Sequence, residues 1–373
     1  MPEEDERFCC EHIPAVSVPY DRRMVTPPVP HVTVVMPVYN GERHLAEAID
    51  SVLEQSYDNF ELAIVNDGST DGTAEIIGSR HDDRIVVVDN GENLGLSKSL
   101  DIGFRMARGS LLARLDADDI AEPQRLARQV SEMNQQPALA MVASWFLEID
   151  DNGHLLVEGR PPSDVTSLRW RLLFGNPIPP STVMLRRDAL ADAAAHDESL
   201  SYAMDYELWC RIARASPVAI IEEVLVRYRR SSGSMTGSSG KAVVEEPRRI
   251  AVEEMRQVAL GAGLDPEPFD TGFHADARVL LWRPGLVREE VDVLGTVRKL
   301  FRLHDAFCHV NGLSAAEATE HRRAVRARLG GNLVRLSRAA ARRGQVTRSA
   351  TFLAAAGLSH VELLLPRRRA AGR

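Results

Sequence analysis

Leu115-Asp116-Ala117-Asp118-Asp119 sets three carboxylates within four residues, just after the apolar run Leu111-Leu112-Ala113. Carboxylates crowded at the end of a buried strand lose hydration and repel one another, so the arrangement is costly without a cation. Hard oxygen ligands suit Mg²⁺ or Mn²⁺, ions that commonly arrive with phosphate-bearing substrates. The cluster therefore points to a metal-bound nucleotide or phosphate. Two further loops carry polar groups of the same kind. Pro37-Val38-Tyr39-Asn40 either turns the chain or offers Tyr39 to a flat base. Asp67 either caps the next helix or accepts a hydrogen bond from a base N–H. Gly68-Ser69-Thr70-Asp71-Gly72 lacks the Gly-Lys-Ser/Thr of a Walker loop, and no G-x-G-x-x-G follows the first apolar run, which argues against a dehydrogenase-type dinucleotide fold.

The elements that must position these groups are legible in the periodicity. Val32-Thr33-Val34-Val35-Met36 reads as a buried strand, and Leu62-Ala63-Ile64-Val65, Ile85-Val86-Val87-Val88 and Leu111 to Leu115 read as the second, third and fourth strands. Between them, Leu45, Ala48, Ile49, Val52 and Leu53 recur at helical spacing, Ala74, Ile76 and Ile77 mark a second helix with Ser69 or Thr70 as its expected cap, and Leu96 to Ala107 forms a third. Strands alternating with helices imply a parallel sheet covered on both faces, and such sheets bind ligands beyond the carboxyl ends of their strands. Tyr39, Asp67 and Asp116 to Asp119 all fall at such ends, so three polar loops should converge on one rim. Further on, Arg125 to Gln136 is helical, and Asp151-Asn152-Gly153 turns the apolar run 140–146 back into Leu155-Leu156-Val157, making the sheet mixed. Val183-Met184-Leu185 is apolar, and Met204 to Ala213 is a helix with Asp205 near its start.

Of the 373 residues, 44% are hydrophobic, as in an ordinary water-soluble globular chain. No apolar run reaches the length of a membrane span, and the acidic start Met1-Pro2-Glu3-Glu4-Asp5-Glu6-Arg7 is unlike a secretory signal, so a cytoplasmic location is expected. Cys9, Cys10, Cys210 and Cys308 show no metal or disulfide spacing and read as reduced thiols. Net charge is -8, yet from Arg322 to Arg373 there are thirteen Arg against the single acid Glu362. The main body is therefore acidic, which argues against a nucleic-acid partner. Residues 1–30 read as disordered, 31–240 as the catalytic α/β domain, and 241–373 as a helical extension with a basic tail.

Val34-Val35-Met36-Pro37-Val38-Tyr39-Asn40-Gly41, then Val65-Asn66-Asp67-Gly68-Ser69-Thr70-Asp71, Asn93-Leu94-Gly95 and Leu115-Asp116-Ala117-Asp118-Asp119 together resemble, in order and spacing, the family 2 glycosyltransferases. Ala203-Met204-Asp205-Tyr206-Glu207-Leu208-Trp209-Cys210-Arg211 is similar to that family's acceptor-side helix, and Tyr228-Arg229 to its closing strand. The resemblance spans roughly residues 32–236. It implies a GT-A fold, an α/β architecture with a mixed, mostly parallel sheet, and inverting transfer of a sugar from a nucleotide-diphosphate donor. On it, Pro37, Val38 and Tyr39 lie at the nucleobase, Asp67 binds that base, Asp116 contacts the ribose with Ala117 beside it, and Glu42 is a further donor-site candidate. Asp118 would ligate Mn²⁺ or Mg²⁺ on the diphosphate, with Asp119 orienting it, and Asp205 would be the catalytic base. Read from residues alone, Asp205 is better taken as a helix cap before Tyr206-Glu207-Leu208.

Three departures from the family pattern stand out. Met204 precedes Asp205 where a second acid is common, and Ser231 and Pro180 occupy places where His is common. The Gln-x-x-Arg-Trp motif of processive members is absent, Arg169-Trp170 lacking the Gln, so one sugar per encounter is expected. The implied donor is a UDP-sugar, with guanosine and thymidine donors open, and the implied acceptor is a saccharide or lipid-linked saccharide. The connector Ser231 to Gly240 reads as a linker or as a lid over the donor. In the tail, Val325, Leu329, Leu333 and Leu336 form a stripe that either packs on protein, its own or a second subunit's, or, with its flanking arginines and Pro366-Arg367-Arg368-Arg369, lies peripherally on an anionic membrane. The rival readings are a sugar-nucleotide pyrophosphorylase, which would need a basic Gly-rich loop after the first strand, and a non-catalytic nucleotide-sugar-binding or scaffold protein of the same fold.

Overall fold

The computed structural model describes residues 29–192, 197, 199–230, 241–282 and 291–361. The chain opens with β1 (Val32–Val38), α1 (Leu45–Leu53), β2 (Phe60–Asn66), α2 (Thr73–Gly78), β3 (Ile85–Asp89), α3 (Leu96–Met106) and β4 (Leu111–Arg114). There follow β5 (Ile120–Ala121), α4 (Arg125–Gln135), β6 (Met141–Ile149), β7 (Leu155–Gly159), α5 (Val165–Leu172), a 3₁₀ turn at Pro180–Thr182, β8 (Met184–Arg186), α6 (Arg187–Asp192), α7 (Met204–Ala215) and β9 (Val218–Arg229). Five helices complete the described chain: α8 (Lys241–Gly261), α9 (Thr271–Trp282), α10 (Val293–Val310), α11 (Ala315–Arg342) and α12 (Val346–Val361).

The strands form one sheet in the order β3-β2-β1-β4-β8-β6-β9-β5, with β7 paired to β6. β3, β2, β1 and β4 run parallel, β8 is antiparallel to both β4 and β6, and β6 and β9 are again parallel. The expected hairpin forms, β7 returning antiparallel along β6. The pleat explains why two cores form. Side chains alternate between faces along a strand. Val34, Met36, Ala113, Val142 and Met184 therefore enter one core with α1 and α4, while Val35, Leu112, Met141, Ala143 and Leu185 enter the other with α3, α5 and α7. α3 lies unusually close to the sheet, because a Cβ on Gly103 would meet Val35 Cγ1 at 2.4 Å.

A third core belongs to the helical extension. Trp170, Leu173 and Phe174, from α5 and the turn after it, insert among the side chains of α8 to α12. The Trp170 ring meets Phe174 at 5.1 Å and Phe307 at 5.3 Å, both edge to face. The Arg169-Trp170 pair is thus structural. The apolar stripe of the tail is in this core as well: Val325, Leu329, Leu333 and Leu336 are all buried. This settles the stripe in favour of packing within the chain and removes it as a membrane-facing surface. Several of its arginines are occupied too, Arg322 and Arg326 lying over Phe301 and Arg328 over Trp282. The N-terminal segment before Val29 with Cys9 and Cys10, the connector Ser231 to Gly240, and Pro366 to Arg369 lie outside the described residues. Cys210 and Cys308 are free and buried. No helix among the described residues is long and apolar enough to cross a membrane.

Candidate active site

Loops at the carboxyl ends of β1, β2 and β4 meet at one rim, and their contacts explain the polar residues there. Asn40 adopts a left-handed φ of 50° at the end of β1, a conformation that Asn tolerates better than most residues because its short amide bonds locally. Its side-chain Oδ1 accepts from Thr70 N–H at 2.8 Å, while its own N–H donates to Ser69 Oγ at 3.0 Å. Gly41 N–H donates to Thr73 Oγ1 at 2.9 Å, Glu42 N–H to Asp71 Oδ2 at 3.1 Å, and Gly72 N–H to Glu42 Oε2 at 2.9 Å. These bonds lock the first two loops together. They also take Glu42 away from the ligand side: its carboxylate serves the start of α2, and it does not line the cleft described below. α2 begins after Gly72 with no side-chain cap, so neither Ser69 nor Thr70 caps it; both are held by Asn40 instead.

Asp67 is buried and bonded inward. Its Oδ1 accepts from Asn90 Nδ2 at 2.8 Å and from Leu94 N–H at 2.9 Å, and its Oδ2 accepts from Gly95 N–H at 2.9 Å. It therefore builds the Asn93-Leu94-Gly95 loop into the rim while keeping a lone pair on Oδ2. Gly68 beside it has φ +69°, and a Cβ there would meet the Glu92 backbone at 2.4 Å, so only glycine fits this crossing.

The three acids after β4 have separate surroundings. Both oxygens of Asp116 are held by Arg114, at 2.8 and 3.2 Å, and its N–H donates to Ser181 Oγ at 3.0 Å. Asp119 is fully buried; it accepts from Arg229 N–H at 2.6 Å and from the Ser181 hydroxyl. Burial, with Asp118 and Asp116 nearby, pushes its carboxyl well above the usual range. Asp118 receives no side-chain hydrogen bond among the described residues, and burial together with the Asp116 charge raises its carboxyl to about 6. An acceptor-only oxygen pair crowded by another carboxylate is the environment that a divalent cation relieves, so this donor set fits Mn²⁺ or Mg²⁺. Arg229 clasps the loop from β9: its guanidinium donates to the carbonyls of Asp118 at 2.8 Å and Asp150 at 3.1 Å and to Glu47 Oε2 at 2.7 Å.

Asp205 lies in the first turn of α7, but it is not the cap. The N-cap residue is Ala203, with no side-chain cap bond, and the amides of Ser201, Tyr202 and Ala203 are instead met by Glu246 of α8 at 2.8 to 3.2 Å. The Asp205 carboxylate accepts from Asn176 Nδ2 at 2.9 Å.

A cleft of about 700 Å³ gathers these parts. Pro37, Val38, Tyr39, Asp67, Asp116, Ala117, Asp118 and Asp205 all line it. Tyr39 is 50% exposed, so a face of its ring is available to a ligand. Sequence reasoning passed over Arg114, Tyr202, Ser99 and Asp151, which line the cleft as well, and Glu246, Asn176 and Ser181, which hold its walls. Arg114 ends a buried strand where an apolar residue is the norm, and that departure was a usable signal. The partners of Glu246 are remote in sequence and left none.

The family model for glycosyl transferase family 2 matches residues 33–192. An uncharacterized glycosyltransferase of Methanocaldococcus jannaschii is 35% identical over 205 residues, covering 54% of this chain and 71% of that protein. The amylovoran biosynthesis glycosyltransferase AmsE of Erwinia amylovora is 28% identical over 213 residues, covering 56% of this chain and 79% of its own. Among solved structures, S. aureus TarS in complex with UDP-GlcNAc superposes with a TM-score of 0.52 at 17% identity, covering 88% of this chain and 91% of that one, a likeness of fold. With a relative of that identity matched over most of its length, and the sheet and cleft as described, the chain belongs to the family 2 glycosyltransferases.

Proposed function

We propose that this glycosyltransferase is metal-dependent and inverting, and that it moves one sugar per encounter from a UDP-linked donor to an acceptor hydroxyl in the synthesis of a surface polysaccharide or glycoconjugate, on the cytoplasmic side. The observation that carries the reading is that Asp118 and Asp205, from distant parts of the chain, line one cleft at the carboxyl ends of the parallel strands. UDP as the carrier follows the sequence resemblance and agrees with the UDP-GlcNAc held by the structural neighbour TarS. The polysaccharide role follows the amylovoran relative.

In this reading Tyr39 stacks on the base, and Asp67 offers its remaining lone pair to a base N–H. Asp118 would hold Mn²⁺ or Mg²⁺, which supplies neutralisation of the charge developing on the leaving diphosphate. Arg229 fixes the backbone of Asp118, so the carboxylate is in place before the donor arrives. Asp205, oriented by Asn176, takes the proton of the acceptor hydroxyl as that oxygen attacks the anomeric carbon. Attack from the face opposite the leaving group inverts the anomeric configuration.

The test is donor turnover by the full chain, with UDP-sugars as the first panel and Mn²⁺ present or chelated, followed by the anomeric configuration of the product by NMR. Asp205→Asn should lower kcat by about 10²–10⁴-fold. Turnover indifferent to chelation, or a product that retains the donor's configuration, removes the mechanism; binding of donor with no turnover on any acceptor favours the scaffold reading.

A further inference from the structure

A second cleft, of about 450 Å³, opens between the sheet domain and the helical extension. Its lining includes Asn176, the residue whose amide donates to Asp205, so this cleft adjoins the wall that carries the proposed base. The lining contains three arginines, Arg160, Arg171 and Arg328, and no Asp or Glu. It also contains an indole held ready: Trp282, at the end of α9, has the Arg171 guanidinium over it at 4.4 Å and that of Arg328 at 6.0 Å, and packs against Phe174 at 4.9 Å. Arg160 is partly neutralised by Glu158 at 2.9 Å. Arg328 is exposed and makes no ion pair among the described residues.

We propose that this cleft is the acceptor subsite and that the acceptor it takes is a saccharide bearing an oxyanion, a phosphate or a carboxylate. The inference deepens the transferase reading and rests on it, since Asp205, which lines the first cleft, would meet the acceptor across Asn176, the residue by which the second cleft adjoins it. The chemistry is direct. Guanidinium forks match phosphate and carboxylate with paired N–H donors, and they are more weakly hydrated than ammonium groups, so they give up water at lower cost. The indole face carries the two guanidiniums and fixes their place in the cleft. The pairing of Arg171 and Arg328 with Trp282 holds those donors beside that surface before any ligand arrives, which reduces the ordering cost of binding. The proposal also gives the extension a role: Trp282 and Arg328 come from α9 and α11, whereas Arg160, Arg171 and Asn176 come from the sheet domain. Half of the acceptor's recognition would thus be contributed by helices outside the segment that the family model matches.

The experiment is isothermal titration of the full chain with maltotriose, maltotriose 6-phosphate and trigalacturonate, in wild type, Arg328→Ala, Arg171→Ala and Arg328→Lys, with melting temperatures checking that each variant folds. The charged trisaccharides should bind about tenfold or more tighter than the neutral one, about 1.4 kcal/mol. Arg328→Ala, at an exposed position, should erase most of that difference, and Arg328→Lys should restore part of it. A preference for the phosphorylated over the carboxylated ligand, or the reverse, identifies which oxyanion the cleft serves. Equal binding of all three, no binding, or charge-dependent binding untouched by either Ala variant overturns the proposal. The two readings fail separately: a chain that hydrolyses donor yet ignores the oxyanion sinks only the acceptor cleft, whereas one that binds the charged trisaccharides but never turns donor over sinks the transferase mechanism.

Discussion

Asp67 shows how a residue that lines the cleft is also part of its scaffold. Its carboxylate receives three protein donors, two of them backbone amides, in a place that is 3% exposed. Removing the acceptor strands those donors away from water. Asp67→Ala should therefore cost about 1–3 kcal/mol for each donor left unmet, read from the urea midpoint at unchanged m-value. Asp67→Asn should cost less, because one oxygen persists and only one contact turns from attraction to repulsion. A variant as stable as wild type would show that the Asn93-Leu94-Gly95 loop stands without this carboxylate. Asp118 behaves in the opposite way: lacking side-chain donors, it is the acid in its loop whose removal leaves the fewest partners unmet. On the proposed metal role, Mn²⁺ should raise the melting temperature of wild type and not that of Asp118→Asn, while the melting temperature without metal stays within a few degrees.

At the scale of elements, β1, β2 and β4 were legible because parallel strands buried on both faces read as near-continuous apolar runs, as 32–36, 62–65 and 111–113 do, whereas the apolar run 85–88 forms β3 at the sheet edge, with Val87 exposed. The bounds moved by a residue or two where polar ends such as Asn66 and Asp89 stay in the ladder. The pairings of the later strands were not legible. β5 has two residues and exists because Ile120 and Ala121 lie against β9, and β8 is wedged between β4 and β6, contacts that no local period records. The site divides in the same way. Its acids stood out by type and position, whereas their supports, Ser181, Asn176 and Glu246, are ordinary polar residues given meaning by remote partners. Arg229 is the sharpest case, because one side chain ties the end of β9 to the Asp118 loop, the hairpin after β6 and α1. Arg229→Lys should not rescue Arg229→Ala. An ammonium has three donors at one point and cannot span carbonyls and a carboxylate that a planar fork reaches together. Both variants should lose about tenfold or more in kcat, the effect of a misplaced ligand loop; full activity in the Lys variant would mean that charge alone is what Arg229 supplies.

For the whole molecule, the extension is joined to the sheet domain by buried contacts that include neutral histidines, and this gives stability a pH dependence. His274 and His321 are both buried, and burial is the main reason that each is lowered from 6.5 to about 4. His274 points Nε2 at the Phe174 carbonyl, with Arg278 and Arg248 opposing its charge. His321 meets His304 at 3.0 Å and the rings of Trp170 and Phe307, with only Asp164 favouring its protonation. His321, His304 and Cys308 bring possible metal ligands together, but the two rings are within 11° of parallel at a 5.1 Å centroid separation, which suits an N–H···N bond between them. A folded-state value below the unfolded one means that, between about 6.5 and about 4, the unfolded chain binds protons that the native chain refuses. Stability from these groups is therefore complete above 6.5, falls as the pH drops through that window, and levels off below 4. The ceiling is on the order of a few kcal/mol per histidine. Asp118, raised to about 6, and Asp119, raised further by burial, oppose the trend, since such carboxyls are destabilising when ionised and are relieved by acid. The melting temperature between pH 7 and pH 4.5 therefore carries contributions of both signs, and a substitution isolates the histidine part. His321→Gln removes one titration, so its melting temperature should fall less steeply across that window even if it starts lower; calorimetric scans at fixed ionic strength on both proteins give the two slopes, and equal slopes would mean that the junction between sheet and helices does not hold His321 neutral.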